Sequence, residues 1–142
     1  MRTRSNRAVT ALLVLVASAA ITAAQPAPSV SDGWVAVPAV GATTAVVSAS
    51  IQNPTMYDIY VVSASSDVAG KVEFRERQGG DSQAVKDLTV ASFGSLDLKA
   101  DGPHLVLVDL KRPLKEGETV EITLKTDGGL SLKLAAVVKR EK

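Results

Sequence analysis

The sequence predicts a single all-β domain, an antiparallel sandwich or Greek-key barrel, and three observations carry that expectation. β-branched segments recur along the chain, turn residues separate them at short intervals, and no room is left for a βαβ unit. The alternation is clearest where Val120, Ile122 and Leu124 face Glu121, Thr123 and Lys125, the pattern of a strand with one buried and one wet side.

The chain opens with Arg2, Arg4 and Arg7 and no acid, then an apolar run from Ala8 to Ala20 and the small residues Thr22-Ala23-Ala24 before Gln25-Pro26. A basic head, a short apolar centre and a small-x-small end predict a secretory signal peptide over residues 1–24, with the mature protein in the periplasm or secreted. The run is short for a bilayer span, although the same pattern also accommodates an uncleaved N-terminal anchor. No Arg-Arg pair points to twin-arginine export, so the leader is of Sec type. The mature chain is expected to carry no membrane span. No cysteine is present, which removes both disulfides and a thiol for a lipid anchor, so a lipoprotein is not expected and the core must hold by packing alone.

Residues 25–33, rich in Pro and Ser, read as a linker, residues 34–139 as the domain and residues 140–142 as a short charged tail. Strands are expected at Trp34–Val37, Thr44–Gln52, Ile59–Ser65, Val68–Arg77, Ser95–Leu98, His104–Leu110, Thr119–Lys125 and Leu130–Val138. Asn53-Pro54-Thr55, Gly79-Gly80-Asp81, Asp101-Gly102-Pro103, Pro113–Gly117 and Asp127-Gly128-Gly129 supply the turns between them. One short helical turn is expected around Ser82–Leu88, capped by Asp81 or Ser82.

Charge and residue inventory exclude several function classes. Three of the sixteen Lys and Arg lie in the leader and none of the fifteen acids do, so the mature domain is slightly acidic. It lacks the basic face and aromatic platform that nucleic acids require. An enzyme is not expected: nucleophile–base pairs need a histidine or a comparable base, and the chain has one histidine and no cysteine. Asp67 with Glu73, and Glu116 with Glu118, read as solvated carboxylates rather than an acid–base pair. Glu73, Arg75 and Arg77 share one strand face, for which a cross-strand surface ion pair is expected.

From Trp34 to Val138 the chain resembles the periplasmic copper chaperones of the PCu(A)C type. The resemblance lies in the strand ending Ser50-Ile51-Gln52-Asn53-Pro54, in Val61–Ser66 leading into Ala69-Gly70-Lys71-Val72-Glu73-Phe74, and in Leu96–Lys99 with Asp101-Gly102-Pro103-His104-Leu105. The most specific block is Leu110-Lys111-Arg112-Pro113-Leu114-Lys115-Glu116-Gly117-Glu118-Thr119-Val120. It implies a cupredoxin-like, immunoglobulin-like antiparallel β-sandwich of Greek-key type. It also implies a Cu(I) site built from two histidines and two methionines, soft donors suited to an oxidising compartment.

Carried over position by position, the first histidine falls on Arg75, the first methionine on about Ser82, the second histidine on His104 and the last methionine on Val106. His104 alone retains a ligand side chain. Arg75, Ser82 and Val106 are not expected to bind metal, since a guanidinium keeps its proton and the other two offer no soft donor. Met56 is a candidate replacement sulfur, with packing beside Tyr57 as its alternative role. Two functions are therefore open. One is a secreted chaperone delivering Cu(I) to a cuproprotein such as a respiratory oxidase, with His104 as anchor and copper held weakly or not at all. The other is a metal-free binding or structural module on the same scaffold.

Overall fold

The computed structural model describes residues 27–140. The predicted leader, residues 1–24, and the last two residues of the charged tail lie outside the described residues. Among the described residues there are ten strands and no helix. They are β1 Ser29–Ala36, β2 Thr44–Asn53, β3 Ile59–Ser66, β4 Ala69–Gln78, β5 Asp81–Val85, β6 Leu88–Val90, β7 Gly94–Leu98, β8 His104–Leu110, β9 Thr119–Thr126 and β10 Ser131–Lys139.

The strands form one continuous sheet in the order β5-β4-β8-β2-β1-β10-β9-β3-β6, with β7 also paired to β2. Folded over on itself, it buries Phe74, Leu105 and Leu107 from one half with Val61, Ile122, Leu124 and Leu134 from the other in a common core. This is the expected cupredoxin-like sandwich. Strand β2 is its centre: Ala45, Val47, Ala49, Ile51 and Asn53 all point inward and are buried, as the period of two requires. Its first half pairs β8 through Thr44–Val47 and its second half pairs β7 through Ala49–Asn53, so the sheet forks at Ser48. Each fully buried Leu or Ile contributes about 2–3 kcal/mol, which is how a domain without disulfides holds.

Three elements differ from the sequence reading. β1 begins at Ser29, inside the stretch expected to be a linker, because its backbone pairs with β2 from Ser29↔Gln52 onward. A bulge between Ser31 and Trp34 follows, with Asp32 in the left-handed region at φ 54°. Beyond it, β1 runs parallel to β10 at Trp34↔Val137, so the sandwich is antiparallel everywhere among the described residues except where its first and last strands meet.

The expected helical turn at Ser82–Leu88 is instead the hairpin strand β5 followed by β6. Gly79 and Gly80 both take positive φ, 63° and 105°, and form a two-residue loop closing Gln78↔Asp81. Two consecutive left-handed residues twist the chain into a hairpin, and that outweighs the capping capacity of Asp81 and Ser82.

Candidate metal centre

The edge strands β5, β4 and β8 bring together all four positions of the inferred ligand set. Arg75 lies directly across from His104 on β8 and from Ala84 on β5, while Val106 faces Glu73 one pair further along the same face. Ser82, diagonal to Arg75 across the hairpin, is in direct contact with it. The Arg75 guanidinium donates from Nε to Ser82 Oγ at 2.8 Å, from Nη2 to the Ser82 carbonyl at 3.0 Å and from Nη1 to Glu73 Oε2 at 3.1 Å.

Glu73 is also paired with Lys71 at 3.0 Å. Hydrogen bonds first from Lys71 and then from Arg75 hold the Glu73 carboxyl below the usual carboxylate range. The ion pair expected across strands is thus formed along β4 itself, because alternation places Lys71, Glu73 and Arg75 on one face two residues apart. Arg77 takes no part in it and donates to the Ala100 carbonyl at 2.9 Å.

His104 is buried, and its Nδ1 lies 2.7 Å from the Gly102 carbonyl. A carbonyl can only accept, so Nδ1 carries a proton and Nε2 is the one ring nitrogen that could offer a lone pair. One imidazole nitrogen is therefore available, next to a cation. A metal ion here would need convergent lone pairs, whereas the side chain opposite His104 is a donor at every nitrogen. Among the described residues no three His, Asp or Glu side chains cluster as a metal site. Met56 stands on the β2–β3 loop and exposes its side chain to solvent.

Of the other carboxylates singled out in the sequence, Glu118 and Glu116 are held in ion pairs. Glu118 takes Arg112 Nη1 at 2.9 and 2.8 Å and the Lys115 backbone N–H at 3.0 Å, and Glu116 pairs with Arg140 at 3.1 Å. What the sequence reading missed is the Arg75–Ser82 contact, which requires β5 to be a strand.

Residues 28–138 match the family model described as "Putative lipoprotein LpqE-like". The chain belongs to this family, which is the PCu(A)C family. Its members among solved structures include the Cu(I) form of DR1885 from Deinococcus radiodurans. That structure is 31% identical to this chain, covering 80% of it and 77% of DR1885, with a TM-score of 0.66. The copper-bound PCuAC domain of PmoF2 superposes with a TM-score of 0.72 at 18% identity, over 80% of this chain and 93% of that one, a likeness of fold. A curated relative from Leifsonia xyli subsp. xyli (strain CTCB07), described as "Putative lipoprotein Lxx21020", is 28% identical over 115 residues, 78% of this chain and 68% of that protein. This chain contains no cysteine.

Proposed function

We propose that this chain is an exported, envelope-associated PCu(A)C protein in which an internal cation has replaced the copper position, leaving Cu(I) bound weakly or not at all and the sandwich acting as a metal-free binding module. One observation carries the reading. The guanidinium of Arg75, fixed by Ser82 and Glu73, fills the face opposite His104. A guanidinium has no lone pair to give and repels a second cation. The "lipoprotein" descriptions of the family and its curated relative support the envelope setting.

A second reading is favoured by the His104 tautomer, which leaves Nε2 without a protein partner among the described residues. On that reading the chain is a low-affinity chaperone that passes Cu(I) to a cuproprotein such as a respiratory oxidase, with His104 as anchor. The two readings part in a Cu(I) titration against a chromophoric Cu(I) chelator under reducing, anaerobic conditions. The wild type is expected to retain no copper, and the Arg75→His/Ser82→Met/Val106→Met variant to retain one equivalent. Retention of one Cu(I) by the wild type, lost in His104→Ala, would overturn the metal-free reading and establish the second.

A further inference from the structure

The outer face of the sandwich carries a cavity of about 620 Å³ beside Ser48, where β2 changes partner from β8 to β7. Val46, Ser48 and Ser50, the residues of β2 that alternate away from the core, line it together with Trp34, the only tryptophan in the chain. Trp34 reaches that face through the bulge in β1. Between the pairs Ser31↔Ser50 and Trp34↔Ser48, β1 has one residue more than β2. Without that residue Trp34 would stand opposite the buried Val47 and point into the core.

The other wall is a fixed turn that follows β7. The Lys99 N–H donates to the Pro103 carbonyl at 2.8 Å, the Gly102 N–H to the Lys99 carbonyl at 3.0 Å and Arg77 Nε to the Ala100 carbonyl at 2.9 Å. On β7 itself, Asp97 Oδ1 accepts the Ser50 hydroxyl at 3.0 Å, which holds the carboxylate at the cavity's edge.

Two features define what this cavity suits. Ser48 is only 8% exposed, and its hydroxyl has no hydrogen-bond partner among the described residues. Every fully enclosed side-chain nitrogen or oxygen among those residues has a partner, so the Ser48 hydroxyl opens on the cavity, free to bond a ligand. The charges, moreover, are mixed. Asp32, Asp97 and Asp101 line the cavity with Lys99, and the Lys139 ammonium lies 4.8 Å from the Trp34 ring centroid. An ion of either sign meets like charge here. A hydroxyl donates to a carboxylate and accepts from an ammonium group, so a neutral ligand rich in hydroxyls satisfies both. Between the polar groups the lining is apolar, with Trp34, Ala36 and Val46. A pyranose has the same two-sided character, C–H groups on its ring face and hydroxyls around its edge.

We propose that this cavity is a sugar-binding site, in which a neutral pyranose lays its ring face on Trp34 and Val46, donates hydroxyls to Asp97 and Asp101 and accepts from Ser48 and Lys99. Its volume is that of a small-ligand pocket. It shares no residue with the Arg75–His104 edge, so it stands or falls independently of copper binding.

Trp34 makes the test direct, because all tryptophan fluorescence of the exported chain comes from this cavity. The probes are glucose, mannose and N-acetylglucosamine, with cellobiose and chitobiose as two-ring forms and pentylammonium, pentanoate and calcium as ionic controls. The expected result is a saturable change of Trp34 emission with at least one sugar, the same at about 0.1 and 0.5 M NaCl. Saturation by a disaccharide alone assigns the site to a glycan chain and saturation by a single ring to a free sugar, and either supports the proposal. Asp97→Ala/Asp101→Ala, which keeps the reporter, is expected to bind at least roughly tenfold more weakly, and Ser48→Ala roughly threefold to tenfold more weakly. A thermal melt of each establishes that it is folded. Glu121→Ala, on β9 outside the cavity, is expected to bind as the wild type does. No response to any of the sugars, or undiminished sugar binding by the Asp97→Ala/Asp101→Ala and Ser48→Ala variants, would overturn the proposal. So would tighter binding of pentylammonium, pentanoate or calcium than of every sugar, since the cavity would then serve an ion.

Discussion

Asn53 is the residue whose loss should be felt most for its size. Its side chain is 1% exposed and lies between the β2–β3 loop and the β6–β7 connection. The amide NH2 serves three carbonyls, Tyr57 at 2.8 Å, Val90 at 3.1 Å and Ala91 at 3.2 Å, so one hydrogen is shared. The amide oxygen accepts the Thr55 N–H at 3.0 Å and the Thr55 hydroxyl at 2.6 Å. These partners also fix which end of the amide is nitrogen, since carbonyls accept and an N–H donates. Asn53→Ala strips the partners from two or three enclosed carbonyls, each worth about 1–2 kcal/mol when left unpaired, with partial relief from water at the loop edge. The expected cost is about 3 kcal/mol, or a Tm lowered by roughly 12 °C for a domain of this size.

Urea unfolding followed by circular dichroism measures it, as a lower midpoint at unchanged slope. Asn53→Asp separates hydrogen bonding from packing because its shape is the same. A carboxylate would meet three carbonyl oxygens with no hydrogen to offer, so the aspartate variant should lose at least as much as the alanine one at neutral pH. A loss below about 1 kcal/mol in both variants would refute the assignment of Asn53 as the brace of these two connections.

Phe93→Gly removes both the left-handed strain at φ 54° and an exposed ring, while adding backbone freedom to the unfolded chain. It should raise stability by about 0.5–1 kcal/mol in the same urea experiment, and no change or a loss would mean that the ring packs where it looks exposed. Glu73 and Glu118 have carboxyls held below the usual carboxylate range, the former by Lys71 and then Arg75, the latter by the Lys115 backbone N–H and then Arg112. Groups depressed on folding stabilise fully above the unfolded value and lose that contribution as pH falls through the folded one. The melting temperature should therefore be flat from neutral pH to about 5 and fall below about 4.5, and Glu73→Gln/Glu118→Gln should be less stable at pH 7 with a shallower acid limb. Parallel limbs for the two proteins would remove both carboxylates from the account.

Most strands were legible because their inward positions are apolar and their outward ones polar. Val120, Ile122 and Leu124 are all buried, with Glu121 and Lys125 exposed between them. β5 was not legible: Asp81-Ser82-Gln83-Ala84-Val85 has little alternation, and its strand character comes from the Gly79-Gly80 loop and from pairing with β4. β6, three residues long, is below the length at which a period can be read. The start of β1, Ser29-Val30-Ser31-Asp32, holds one apolar residue, Val30, which packs against the core, too few for a period to be read. Asn53-Pro54-Thr55 was read as a turn, and the Thr55 N–H on Asn53 Oδ1 is the local part of that turn. The bonds from the same amide to Val90 and Ala91 span too much sequence to be visible there. The convergence of Arg75, Ser82, His104 and Val106 could be inferred only through family resemblance, since no spacing rule links these positions.

The arginine changes the edge more than the loss of a ligand would. Replacing a histidine by alanine would remove one donor and leave a gap that water or another ligand could enter. Arg75 instead puts a permanent positive charge at the site, hydrogen-bonded to Ser82 and Glu73 and only 30% exposed. A monovalent cation brought within about 4 Å of it is repelled by about 1 kcal/mol at the dielectric of water and by about 4 kcal/mol at the value typical of protein surfaces. That is between roughly a fivefold and a thousandfold loss of affinity from charge alone, before the missing donors are counted. Arg75→His on its own should therefore improve copper retention over the wild type by removing the repulsion, yet with Ser82 and Val106 in place it supplies only nitrogen donors. The sulfur positions must return as well before soft-metal affinity does. Substituting the three sites one at a time orders these contributions: charge first, then donor type. A Ser82→Met/Val106→Met variant that still holds Arg75 and nevertheless binds copper as tightly as the triple variant would show that the guanidinium is no barrier.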